Sequence, residues 1–171
     1  KPGQHRSLLR LAEELDLRAA LRQFGPANGR GAPFADGYAV ARWVRDRLNL
    51  QDTHALTDLR EAAEAVCERA LVVNDAPQWP DGRVLGLVGW TEGQSPVVTH
   101  RSSGRHSTRF VRARGLYMAL RAATAGPRLV TDARTWEQRA SRAFGAELLA
   151  PRAGVGQRFV EEEARVGRDE G

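Results

Sequence analysis

One cysteine in 171 residues leaves Cys67 nothing to pair with, so an internal disulfide framework and any multi-cysteine zinc site are excluded. That usage fits a reducing cytoplasm, and Cys67, in the apolar run Ala65-Val66-Cys67, reads as a core residue. No apolar window is long enough to cross a bilayer, so no membrane partner is expected. Lysine is confined to Lys1, which means that the net charge of +5 rests almost wholly on arginine. Arginine and alanine richness of this kind points to a GC-rich genome, and the charge permits nucleic-acid contact without demanding it. The chain opens Lys1-Pro2-Gly3-Gln4-His5, without a methionine or a signal-peptide pattern, as expected of a fragment or trimmed chain. No internal repeat is present.

What remains is ordinary for a globular domain, with 42% hydrophobic and 27% charged residues and a length suited to one core. Leu8, Leu11, Leu15, Leu17 and Leu21 recur at helical spacing over Ser7 to Phe24, and the turn-rich stretch Gly25 to Pro33 then breaks the pattern. The spacing predicts a helix from Asp36 to Leu48, with Val40, Trp43, Val44 and Leu48 on one side and Arg42, Arg45 and Arg47 on a basic opposite side. Another is predicted from Thr57 or Asp58 to Cys67. Three short valine- and leucine-rich runs follow, Ala70 to Val73, Val84 to Trp90 and Pro96 to His100, separated by turn signals such as Asp75-Ala76-Pro77, and these predict a small sheet. Helices from Thr108 to Thr124 and from Ala133 or Thr135 to Ala150 come next, and the tail after Val155 is charged. The order predicts an α+β domain, with helices packed on a three-stranded or larger sheet, over residues 36–155, between a helical segment with linker at 1–35 and a tail at 156–171.

Several segments, in order, carry a resemblance. Phe144-Gly145-Ala146-Glu147-Leu148-Leu149-Ala150-Pro151, Arg109-Phe110-Val111-Arg112-Ala113, Val84 to Gly89 and Ala39 to Leu50 together resemble the ImmA/IrrE-type zinc metallopeptidase domain. The resemblance implies a zincin-like scaffold and a role in bacterial regulation, beside helix-turn-helix repressors in phage or mobile-element control, toxin-antitoxin pairs or stress responses. In that family an Arg-Phe pair opens a helix bearing His-Glu-x-x-His. Two histidines four apart share a helix face and can grip one zinc, while the glutamate deprotonates the bound water.

Here the five residues after Ala113 are Arg114-Gly115-Leu116-Tyr117-Met118. Arg114 stays protonated and repels a cation, Met118 is a poor zinc ligand, and Gly115 has no side chain to act as a base. The family's third ligand position falls on Gln138, with Glu137 adjacent. No metal and no catalytic residue is therefore expected, and Arg114 is expected to pair with Glu137 or another carboxylate, at the edge of an apolar face made by Phe110, Ala113, Tyr117 and Leu120. His100 and His106 read as surface or turn residues, and His5 and His54 as isolated ones. Ser102, Ser103 and Ser107 lack a nucleophile-elbow pattern. The four tryptophans read as packing residues, with Trp79 the most exposed.

Arg101, Arg105, Arg109, Arg112 and Arg114 make a basic run that could meet phosphates or an acidic partner. The expected role is that of a pseudoenzyme that binds a protein, such as a helix-turn-helix regulator. The alternatives are an active metallopeptidase with unconventional ligands and a nucleic-acid-binding domain.

Overall fold

Proline opens the first helix of the computed structural model, which describes residues 31–56, 58–67, 72–76, 83–90, 96–101, 104–121 and 127–157. The helix predicted over Ser7 to Phe24, most of its linker, Trp79 and the tail beyond Gln157 lie outside those residues. Helix α1 (Pro33–Arg47) begins three residues before the expected Asp36, because a proline in the first turn lacks only an N–H that would have no partner there. Asp36 in the first turn and Arg45 and Arg47 in the last complement the helix dipole. Leu48 closes the helix by donating its N–H to Val44 and Arg45, and Asn49 then turns the chain at a φ of 51°.

Arg45 corrects the predicted basic face. It lies on the same stripe of α1 as Gly37, Ala41 and Val44, all buried, and is itself 1% exposed. Its guanidinium donates to the main-chain oxygens of Leu148 (3.0 Å), His54 (2.6 Å) and Gln51. Burial pushes its pKa down, while Asp52 and Glu147 act in the opposite sense. Helix α2 (Leu59–Cys67) buries Leu59, Ala62, Ala63 and Val66, which is the predicted period.

Among the described residues the sheet has four strands, within the predicted three or more: β1 (Val72–Ala76), β2 (Val84–Trp90), β3 (Pro96–Arg101) and β4 (Arg128–Thr131), in the order β1-β3-β2-β4. β3 runs parallel to β1 and antiparallel to β2, with Val88 opposite Val98, and β4 runs antiparallel to β2, with Leu129 opposite Leu87. Asp75 and Ala76, expected in a turn, extend β1 alongside His100 and Arg101.

Helix α3 (Arg105–Leu120) packs on the sheet with one face and on α4 (Trp136–Leu149) with another, and α4 in turn packs against α1. From Ala113 to Leu120 every residue of α3 is buried, so α3 is the central element rather than a surface helix with one apolar side. Two glycines allow the close approaches. A Cβ on Gly37 would stand 2.3 Å from the Ala140 oxygen on α4, and one on Gly115 would stand 2.6 Å from a Val98 methyl on β3. The Thr135 hydroxyl caps α4 by accepting the Gln138 N–H at 3.4 Å. Trp43 and Trp136 pack against the core, as expected of them. A further helical stretch spans 152–157. Among the described residues no helix is long and apolar enough to cross a membrane.

Candidate functional site

Ser107, Phe110, Val111 and Arg114 recur at intervals of three and four along α3, so they stack on one helix face. Arg114 ends this row and is 1% exposed. Its Nε donates to the Ser141 hydroxyl at 3.2 Å, and its Nη2 donates to the Thr131 carbonyl and to Gln138 Oε1, each at 2.6 Å. All three acceptors are neutral. They are in turn held by one another: Gln138 Oε1 also accepts the Thr131 N–H (3.0 Å), Gln138 Nε2 donates to the Leu129 carbonyl (2.7 Å), and the Ser141 hydroxyl donates to the Gln138 carbonyl (3.0 Å).

The expected pairing of Arg114 with Glu137 is thus corrected. Successive residues of a helix point about 100° apart, and α4 turns Gln138 inward. Glu137, one residue earlier, is left partly exposed and pairs with Arg128 instead. Burial pushes the Arg114 pKa down from the ordinary guanidinium value to about 10, the neighbouring Arg142 guanidinium acts in the same direction, and Asp132 opposes them. The side chain is still a cation at neutral pH.

Of the positions singled out by the family resemblance, Arg114 and Gln138 meet, and the others do not join them. Gly115 faces Val98 and Val88 of the sheet. Met118 is fully buried in the hydrophobic core, and Arg114 is internal rather than at the edge of the apolar face as predicted. These residues do not fit a zinc ion: a guanidinium has no lone pair to give, an amide oxygen already shared by two donors has little left, and a thioether is a weak ligand.

The basic run is divided by the fold. Arg109 donates to the Leu56 carbonyl, Arg112 Nε donates to His100 Nε2 at 3.1 Å, and Arg114 is internal, so these three do not form a solvent-facing row. Arg101 ends β3 and Arg105 starts α3, while their side chains lie outside the described residues. His100, predicted at the surface, is 1% exposed; its cross-strand neighbour on β2 is Gly86, which has no side chain to occupy the adjoining space. His54, read as isolated, is exposed, and the His106 side chain and His5 lie outside the described residues.

A cleft of about 330 Å³ opens beside Arg114. Leu85 of β2 and Phe110 and Val111 of α3 form its apolar wall. Ser107, Arg114, Asp132 and Arg142 supply the polar groups. The Phe110 ring lies 6.0 Å from the Arg114 guanidinium carbon, within reach of a weak cation–π attraction. Arg142 is steadied by donating to the Ala133 carbonyl at 2.8 Å. Thr131, Asp132, Ser141 and Arg142 are not singled out by the sequence. Ser141 and Arg142 do follow Gln138 by three and four places, one helical turn, whereas Thr131 and Asp132 precede it by seven and six and carry no such signal.

On the other side of α3, the Tyr117 hydroxyl donates to Asp36 Oδ2 (2.6 Å) and Arg121 Nη2 pairs with Asp36 Oδ1 (2.7 Å), tying α3 to the start of α1. Burial, then the bond to Asp36, raises the Tyr117 pKa well above the ordinary phenol value. The Tyr117 ring also meets Phe144 at a centroid distance of 5.5 Å, which places the closing run of α4 directly against the helix that would carry the metal motif. No protein-family model matches this sequence, and no curated protein matches it.

Proposed function

We propose that this chain is a catalytically inactive ImmA/IrrE-like domain, on a zincin-like scaffold, that acts in bacterial regulation by binding a protein partner, with a helix-turn-helix regulator encoded nearby as the first candidate. The observation that carries this reading is the buried Arg114, a fixed cation at the position where the resemblance puts the first zinc ligand. Two positive charges a few ångströms apart in a low-dielectric interior repel strongly. Gln138 at the third ligand position is spent on Arg114 and Thr131, and Gly115 at the base position offers the sheet a smooth surface rather than a carboxylate. What the arrangement preserves is shape. A scaffold of helices packed on a sheet, with a cleft beside Arg114, can recognise a partner without cutting it.

The test uses the purified full chain, incubated with zinc chloride and exchanged into metal-free buffer, then titrated calorimetrically with the purified regulator of the adjacent gene. Zinc well below one equivalent, saturable heat of binding and a regulator that stays intact by mass spectrometry are expected. Stoichiometric zinc together with chelator-sensitive cleavage of the regulator would overturn the reading in favour of an active peptidase. Retention on DNA that falls steeply with salt, without regulator binding, would overturn it in favour of a nucleic-acid-binding domain.

A further inference from the structure

The cleft beside Arg114 is more than a remnant. Arg114 is held from inside through Nε and Nη2, while Nη1, which has no acceptor among the described residues, is not among the buried atoms left without a partner and so stays accessible from the cleft. A guanidinium carries five N–H donors in a planar fork, so the edge left accessible can still donate to a carboxylate. Arg114 lines a cleft large enough for a small organic molecule, and Arg142 lines it too. Two guanidiniums and the single carboxylate of Asp132 leave one positive charge in excess. The mutual repulsion of the two cations, which lowers the Arg114 pKa, is relieved by any anion placed between them. Opposite these charges stands an uncharged wall of Leu85, Phe110 and Val111.

The geometry points to a binding site for a small monoanionic carboxylate with an apolar or aromatic body, its carboxylate on Arg114 and Arg142 and its body against Leu85, Phe110 and Val111. The Ser107 hydroxyl, one helical turn before Phe110 and Val111, can donate to the same ligand at the mouth of the cleft. A dianion such as phosphate fits less well, because the excess charge is single and the wall gives nothing to a bare anion. The inference stands on the cleft's own residues and does not need the metallopeptidase resemblance, so it survives or fails separately from the proposed function.

The probe is 3-phenylpropionate, titrated into the full chain by calorimetry beside its neutral isostere 3-phenylpropionamide and inorganic phosphate. Saturable binding with a dissociation constant on the order of 1 mM or tighter is expected for the carboxylate. The amide and phosphate should each bind about tenfold more weakly, the one for want of charge and the other for want of an apolar body. Arg142→Gln should weaken the carboxylate by about fivefold or more, and Leu85→Trp, which fills the cleft without changing its charge, should abolish binding. Both sites are partly exposed, so both variants keep the core intact even where Arg114→Gln fails to fold. No binding of 3-phenylpropionate, equal binding of the amide, or binding undiminished in Leu85→Trp would each overturn the inference.

Discussion

Replacing Arg114 separates its charge from its bulk. A pKa lowered from the ordinary guanidinium value to about 10 corresponds to about 3 kcal/mol in favour of the neutral side chain inside the fold. Against that stand hydrogen bonds to Ser141, Thr131 and Gln138, worth about 1 kcal/mol each. Gln138 Oε1 keeps the Thr131 N–H as a donor after the arginine is gone, and Ser141 keeps the Gln138 carbonyl. Only the Thr131 carbonyl is stranded. Arg114→Met, which retains a long unbranched stem, should therefore lie within about 1 kcal/mol of the wild type at neutral pH. Arg114→Ala adds an unfilled cavity costing about 2 to 4 kcal/mol, or a melting point lower by about 5 to 10 °C. The pH dependence has a defined sign. A base whose folded pKa lies below its unfolded value carries its burial cost in full below the folded pKa and sheds it as the pH rises toward the unfolded one. The wild type should thus gain on Arg114→Met between about pH 9 and about pH 11. Urea denaturation of the three proteins across that range measures all of this. A loss beyond about 4 kcal/mol in Arg114→Met would refute the balance and show that the charge itself holds β4 to α4.

Gly37→Ala should cost about 3 kcal/mol or more by chemical denaturation, because its Cβ would meet main-chain atoms of α4 that cannot move aside. Gly115→Ala, which meets only the methyls of Val98 and Val88, should cost about 1 to 3 kcal/mol despite better helix propensity, and a second change, Val98→Ala, should recover part of it. Arg45→Lys should destabilise nearly as much as Arg45→Ala, by about 3 kcal/mol, since two carbonyls of the 51–54 turn and one of α4 converge on a planar fork that an ammonium cannot reproduce. Tyr117→Phe should lower stability by about 1 to 2 kcal/mol, and in the wild type ultraviolet titration should show the Tyr117 phenol ionising only as the protein unfolds in alkali.

The helices and the two longer strands are legible in the sequence because burial there is periodic and locally encoded. β4 is not: Arg-Leu-Val-Thr is too short to show alternation, and it becomes a strand only because β2 lies alongside. The start of α3 at Arg105 is equally hidden, since Gly104 precedes the helix without a side-chain cap while the hydroxyls at Ser107 and Thr108 suggest a later beginning. The larger failures concern arginine. Nothing local marks Arg45 or Arg114 as internal. The Leu148 carbonyl that receives Arg45 lies 103 positions away, and the Gln138 amide that receives Arg114 lies 24 away. Sequence pattern assigns charge to the outside by default, and only tertiary acceptors reverse that default. The resemblance did lead to positions 114 and 138, which the fold brings together, but it led to the wrong partner for the arginine by a single helical residue.

The Gln138 side chain has a consequence at the outer strand of the sheet. Among the described residues β4 has a neighbour on one side only, and a strand so placed is a template on which another chain can lay its own backbone. Gln138 presents to β4 one carbonyl and one N–H, as a residue of an adjoining strand would, receiving from Thr131 and giving to Leu129, and Arg114 satisfies the Thr131 carbonyl. Two side chains so perform the work of a fifth strand and end the sheet. Without them the outer edge of β4 would be open to pairing with another chain.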